Sequence, residues 1–127
     1  ILIAHHWVFE VVGMLHRDPN LNNFLFYYDK TGNAVGILAD WDIASERRRQ
    51  YRTGTGPFMA LDLLSHTKIA YRYRHDLESF FWILCFFCAQ FRPSTPEHPE
   101  PYFTYLHGWE SKDTKQIRKA KISFLSN

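Results

Sequence analysis

"LHRDPNLNNFLFYYDKTGNAVGILADWD", residues Leu15 to Asp42, decides the fold because two apolar runs flank a polar joint within it. The runs are "FLFYY" (24–28) and "VGILA" (35–39), and "DKTGNA" connects them. Gly and Asn in the joint are turn residues, so the stretch predicts a β-hairpin. Upstream, residues 1–14 place Ile3, Trp7, Val8, Val11, Val12 and Leu15 at helical spacing, closing near Gly13. That predicts a helix with an inward apolar stripe. Its many β-branched residues are mediocre helix formers, so packing must hold it. Downstream, residues 43–56 are polar and read as a loop, and 57–65 read as a short helix with Pro57 at its first position. A strong helix is expected from Asp76 to Phe91, with Asp76 and Glu78 at the positive end of its dipole. "FFWILCFFCAQF" (80–91) is apolar all round, which predicts a helix central to the core. A proline-rich connector (92–101) and a helix from about Ser111 to Leu125 close the chain. The expected fold is mainly α with a small β-hairpin.

Composition bounds the possibilities. The 127 residues are 46% hydrophobic and 17% aromatic, which calls for a packed core. A net charge of +2 is too small to make nucleic acid or an anionic membrane the main partner. The longest apolar run is far short of the roughly 20 residues a membrane span needs. Nothing in the opening residues reads as a secretory leader. Cys85 and Cys88 spell C-x-x-C, but no second Cys or His pair stands at ligand distance, so two buried helix thiols are expected. A reducing, intracellular setting in the cytoplasm or nucleus fits these features.

The hairpin gives the opening stretch its chemistry. Paired strands lie about 4.8 Å apart, so Asn23, before the first strand, and Asp40, after the second, should emerge at one edge. Mg²⁺ chooses oxygen ligands, often one or two from protein and the rest from phosphate and water. Asp18, in the "HRDPNLN" loop, can face the same spot as a free carboxylate. Two metal-holding oxygens and one carboxylate to position a nucleophile suit phosphoryl transfer. Each of the three alone would be an ordinary turn residue; their joint spacing carries the reading.

His16-Arg17-Asp18 with Asn23 resembles the H-R-D-x-x-x-x-N catalytic loop of protein kinases. Asp40-Trp41-Asp42 stands where that family has D-F-G. "GTGPFMALD" (54–62) resembles the end of an activation segment, with Ala60-Leu61-Asp62 in place of A-P-E. "RHDLESFFWIL" (74–84) resembles the start of the central large-lobe helix. The D-W-D motif, this helix and the "W…KAKISFL" ending are similar to the fungal-type protein kinase family. The resemblance implies a partial kinase-like C-lobe: helix 1–14, catalytic loop and metal-binding hairpin 15–42, activation segment 43–62, central helix 76–91, connector and last helix 92–127. It implies ATP and Mg²⁺ as cofactors and a Ser/Thr protein as substrate. Asp18 would orient the substrate hydroxyl, and Asn23 and Asp40 would hold the Mg²⁺. Arg17 would pair with an activation-segment phosphate, Thr55 would shape the substrate site, and Asp76 would brace the loop. His16 and Trp41 would pack the loop onto the core.

The departures from that family are specific. Asn20 stands where a lysine is usual, Asp42 replaces a glycine, and Asp62 replaces a glutamate whose arginine partner is expected beyond Asn127. Neither a glycine-rich phosphate loop nor a V-A-I-K lysine is present. The chain is therefore expected to need an N-lobe of the same polypeptide and to be inactive alone. Small-molecule kinases of the aminoglycoside or choline type share an H-x-D-x-x-x-x-N loop and are the alternative; a pseudokinase or interaction module is a third reading. Arg47, Arg48, Arg49 and Arg52 could meet a phosphate on Ser45, Tyr51 or Thr53 or attract acidic substrates, though most charge runs are solvated. Tyr71-Arg72-Tyr73-Arg74 could suggest nucleic acid; tyrosines packing beneath the central helix are the plainer expectation. His5 and His6 face different directions and should not share a metal.

Overall fold

A computed structural model describes residues 1–42, 44–46, 54–65, 68–90 and 106–126. The arginine cluster at 47–52 and the proline-rich connector lie outside them. The described residues form helices α1 (Leu2–Val12), α2 (Tyr73–Gln90) and α3 (Thr114–Leu125) and strands β1 (Met14–Leu15), β2 (Phe24–Tyr28), β3 (Ala34–Leu38) and β4 (Ser45–Glu46). Two antiparallel pairs result, β1 with β4 and β2 with β3. The architecture is mainly α with a small β part, as expected, and β4 adds a short pairing inside what had read as loop.

Local chemistry explains the elements. Gly13 ends α1 in the left-handed region (φ 74°), where its N–H reaches Phe9 O at 3.0 Å. A side chain there would be strained, whereas glycine is not. In the β2–β3 turn, Asp29 Oδ1 accepts from Thr31 N, Thr31 Oγ1 and Asn33 N, so the joint is built by one carboxylate. The register sets Phe24 opposite Leu38. Pro57 sits in a 3₁₀ turn over Gly56–Phe58, followed by turns instead of the expected α-helix. The start of α2 lies at Tyr73, ahead of Asp76, because His75 Nδ1 accepts the N–H of Arg72 just before the helix. This is a capping-box arrangement with histidine in the usual acidic position. Asp113 caps α3 by accepting from Lys115 N at 2.9 Å, which delays that helix past Ser111.

Two buried clusters form the core. One joins Leu15, Met59, Ala60, Leu63, Leu64, Tyr71 and Ile117; the other joins Phe58, Trp82, Ile83, Leu106 and Trp109. The expected stripe of α1 is mostly unburied: Leu15 is in the core and Val8 is half-buried, but Ile3 is 87% exposed, and Trp7, Val11 and Val12 are exposed too. The buried residue of α1 is His5. Likewise α2 is buried on one side only, and Phe81, Leu84 and Phe87 face outward. Cys85 is half-buried and Cys88 exposed, so the pair is not wholly interior. Burial raises the Cys85 thiol above its ordinary pKa. No described helix is long and apolar enough to cross a membrane.

Candidate active site

The loop from Leu15 to Asn23 leaves β1, runs along the N-terminal part of α2 and enters β2. Asp76, fully buried in α2, holds its start. Its Oδ2 accepts from His16 N at 2.9 Å and from His5 Nε2 at 2.8 Å; its Oδ1 accepts from Arg17 N at 2.9 Å and from Tyr71 OH at 2.7 Å. A buried carboxylate is tolerated when its lone pairs are satisfied this way. Burial, then the Asp76 charge, pushes the Tyr71 hydroxyl far above its ordinary pKa, so it serves only as a donor.

His16 ties the loop to the hairpin's far end. Its Nε2–H donates to Ala39 O at 2.8 Å, and its Nδ1 accepts from Asp18 N at 3.3 Å. That pair of bonds fixes one neutral tautomer. Trp41 meets the His16 ring edge-on at 4.6 Å and anchors its own indole N–H on Leu38 O. Arg17 is buried, with φ 73°, and its guanidinium lies 5.4 Å from the Tyr71 ring centre.

Asp18 is held from two sides. Its Oδ1 accepts from Thr55 N at 2.6 Å and Thr55 Oγ1 at 2.8 Å; its Oδ2 accepts from Asn20 Nδ2 at 3.1 Å. Gly54, at φ 123°, permits the approach: a Cβ there would stand 3.3 Å from Arg17 O, and the backbone angle itself would strain any side chain. Asn20 uses its other amide atom as a cap, with Oδ1 accepting from Asn22 N at 2.9 Å. Asn20 is thus a neutral clamp on the Asp18 carboxylate.

Asn23 donates through Nδ2 to Asp18 O at 3.0 Å, while Ala39 N donates to Asn23 O at 2.8 Å. Asn23 therefore lies opposite Ala39, and Asp40 is one residue beyond that pair. Asp40 is exposed and adopts a left-handed φ of 60°, a conformation Asp tolerates. Among the described residues, no hydrogen bond engages the amide oxygen of Asn23 or the carboxylate of Asp40. Two uncommitted oxygens suit a hard cation that brings phosphate and water as its other ligands. Among the described residues no group of three His, Cys, Asp or Glu side chains is assembled for a metal.

At the end of the 54–62 segment, Asp62 is paired with groups inside the chain. Arg74 Nη2 pairs with Asp62 Oδ2, and His75 Nε2 donates to the same oxygen at 3.1 Å. Burial pulls the Asp62 carboxyl up, but His75 and Arg74 hold it below the usual carboxylate range.

Several contributors escaped sequence reasoning. His5 and Tyr71 carry no motif, and Asn20 looked like a loss when it is a clamp. Glu78, on α2, accepts from Leu61 N at 2.8 Å and Trp82 Nε1 at 3.0 Å. Lys121 is fully buried on α3; its ammonium donates to Met59 O at 2.7 Å and lies over the Trp82 ring at 4.6 Å. A buried lysine gives no signal in a sequence whose other lysines lie on surfaces. His5 and His6 do diverge: His5 reaches Asp76, and His6 Nδ1 meets Tyr73 OH. Tyr73 opens α2 and stacks on Phe9 at 4.2 Å, so the aromatic-basic run is packed against α1.

Comparison with known families gives one finding. A family model described as fungal protein kinase matches residues 1–88, from the start of α1 to near the end of α2. The match spans the loop, the hairpin, the 54–65 segment and the helix that carries Asp76, and on that ground the chain belongs to the fungal protein kinase family.

Proposed function

We propose that this chain is large-lobe material of a Ser/Thr protein kinase that transfers the γ-phosphoryl group of Mg-ATP to a protein hydroxyl. The observation that supports this best is the doubly held Asp18, with Thr55 on one oxygen and Asn20 on the other. A carboxylate fixed this way can orient a substrate hydroxyl and take its proton, the positioning role that phosphoryl transfer demands. Asn23 and Asp40 would supply oxygens to Mg²⁺, which neutralises phosphate charge when bound. His16 and Asp76 act on the backbone and keep the loop still. Arg17 would pair with a phosphate or acidic group on the activation segment. Thr55, donating to Asp18, would border the substrate hydroxyl, which favours Ser/Thr proteins over small molecules.

The ATP cleft would be completed by an N-lobe carried on the same polypeptide. A longer polypeptide containing these residues should phosphorylate Ser/Thr peptides with Mg-ATP. Asp18→Asn and Asp40→Ala should each lower turnover by about a hundredfold or more. Wild-type Mg-ATP binding with no transfer to any peptide would point to a pseudokinase. Transfer to aminoglycosides or choline but not to peptides would point to the small-molecule class.

A further inference from the structure

We propose that the groove between α3 and the end of the 54–65 segment binds an acidic stretch of the protein substrate. This rests on the kinase reading above and names the chemistry of its substrate. The groove encloses about 380 Å³, lined by Leu64, Ser65, Lys115, Arg118, Lys119 and Ile122. Lys115, Arg118 and Lys119 stand three and four residues apart, so they share one face of α3. All three are exposed, and no ion pair to them is found among the described residues. Helix α3 itself carries no acidic residue. The nearest carboxylate in sequence, Asp113, is engaged with the Lys115 backbone N–H. Three like charges on adjacent turns repel one another, a cost that an anionic occupant removes. Ile122, 40% exposed, adds an apolar patch for the stem of a Glu side chain.

Position makes the groove relevant to the site. The segment that grips Asp18 through Thr55 ends at Leu64 and Ser65, which form one wall. The other wall is locked to that segment twice. Lys121 bonds Met59 O, and Ile117 packs so close that a Cβ on Gly56 would lie 3.0 Å from it. Groove and Asp18 are therefore held in fixed relation, and a protein bound by its acidic stretch would present a neighbouring hydroxyl at a set distance.

The test is fluorescence polarisation of the 127-residue chain with short labelled peptides carrying one central Ser flanked by Glu, by Gln or by Lys. The Glu peptide should bind about tenfold or more tighter than the Gln peptide, with affinity falling as salt rises. The combined Lys115→Gln, Arg118→Gln, Lys119→Gln variant should lose about tenfold, while Lys30→Gln, in the β2–β3 turn, should lose nothing. Circular dichroism confirms that the variants stay folded. Equal binding of Glu and Gln peptides, or unchanged affinity in the triple variant, would overturn the assignment. So would a single-stranded oligonucleotide that binds tighter than the Glu peptide and depends on the same three residues. No ATP is used, so peptide capture by this chain, with no transfer by a longer polypeptide that carries the N-lobe, would sink only the kinase reading. Transfer that ignores the triple variant would sink only the groove.

Discussion

Four donors converge on Asp76, and that single carboxylate explains why the loop has one shape. His5 comes from α1, His16 and Arg17 from the loop and Tyr71 from the approach to α2. Asp76→Ala leaves two backbone N–H groups, a hydroxyl and an imidazole without their acceptor in a dry interior. Loss of such a buried partner costs about 3–5 kcal/mol, so urea unfolding of the variant should show a destabilisation of that size. A loss under about 1 kcal/mol would mean that water replaces the carboxylate. Asp76 was legible only through the family resemblance, which implies that an aspartate near the start of the central helix braces the loop. His5 and Tyr71 were not, since the chain separations are too varied for any local pattern to show them. Asn20 was read only as a missing charge, because a side chain's bonds to a neighbour two residues away are invisible in composition.

Among the elements, β2 was readable to the residue and β3 to within one, since strand bounds followed from apolar runs and turn residues. The helices were less legible. For α2 the start moved to Tyr73, because His75 takes the third-position role that Glu or Gln usually fills, accepting the Arg72 N–H. In α1 the apolar stripe pointed the wrong way, because hydrophobic spacing identifies a face without saying what, if anything, covers it. Helix α3 holds the least expected residue, Lys121. Burial lowers its pKa to about 7, against the opposing charge of Glu78. Unfolded, the same lysine titrates near its model value of 10.5. Between those values the unfolded chain holds a proton that the folded one has released, so stability rises with pH. The window below the unfolded titration of Cys85 and Tyr71 runs from about 7 to 8. Thermal melts across it should show stability rising by at most about 1.4 kcal/mol per pH unit. Lys121→Met should flatten that slope, and a slope unchanged in the variant would assign it to another group.

At the scale of the molecule, one side of the chain is conspicuously apolar. Ile3, Leu21, Phe26, Leu77, Phe81 and Leu84 line a cavity of about 1170 Å³ between α1, the hairpin and the outer side of α2. Exposed apolar surface of that extent binds hydrophobic dyes. The 127-residue chain should therefore enhance ANS fluorescence while keeping a native far-UV spectrum. Ile3→Lys with Leu84→Lys should cut the enhancement at least about twofold, and an undiminished signal would place the dye elsewhere. The lengths of chain between Asp76 and its partners set when the loop can order. His5, His16 and Arg17 lie 71, 60 and 59 residues from it along the chain. Order in the Leu15–Asn23 loop is thus borrowed from a distant part of the sequence and cannot be nucleated by its neighbours. An excised peptide of residues 15–42 could still close the hairpin through Asp29, yet its H-R-D segment would wander. Whatever catalytic competence the kinase acquires during synthesis must wait until α2 has left the ribosome.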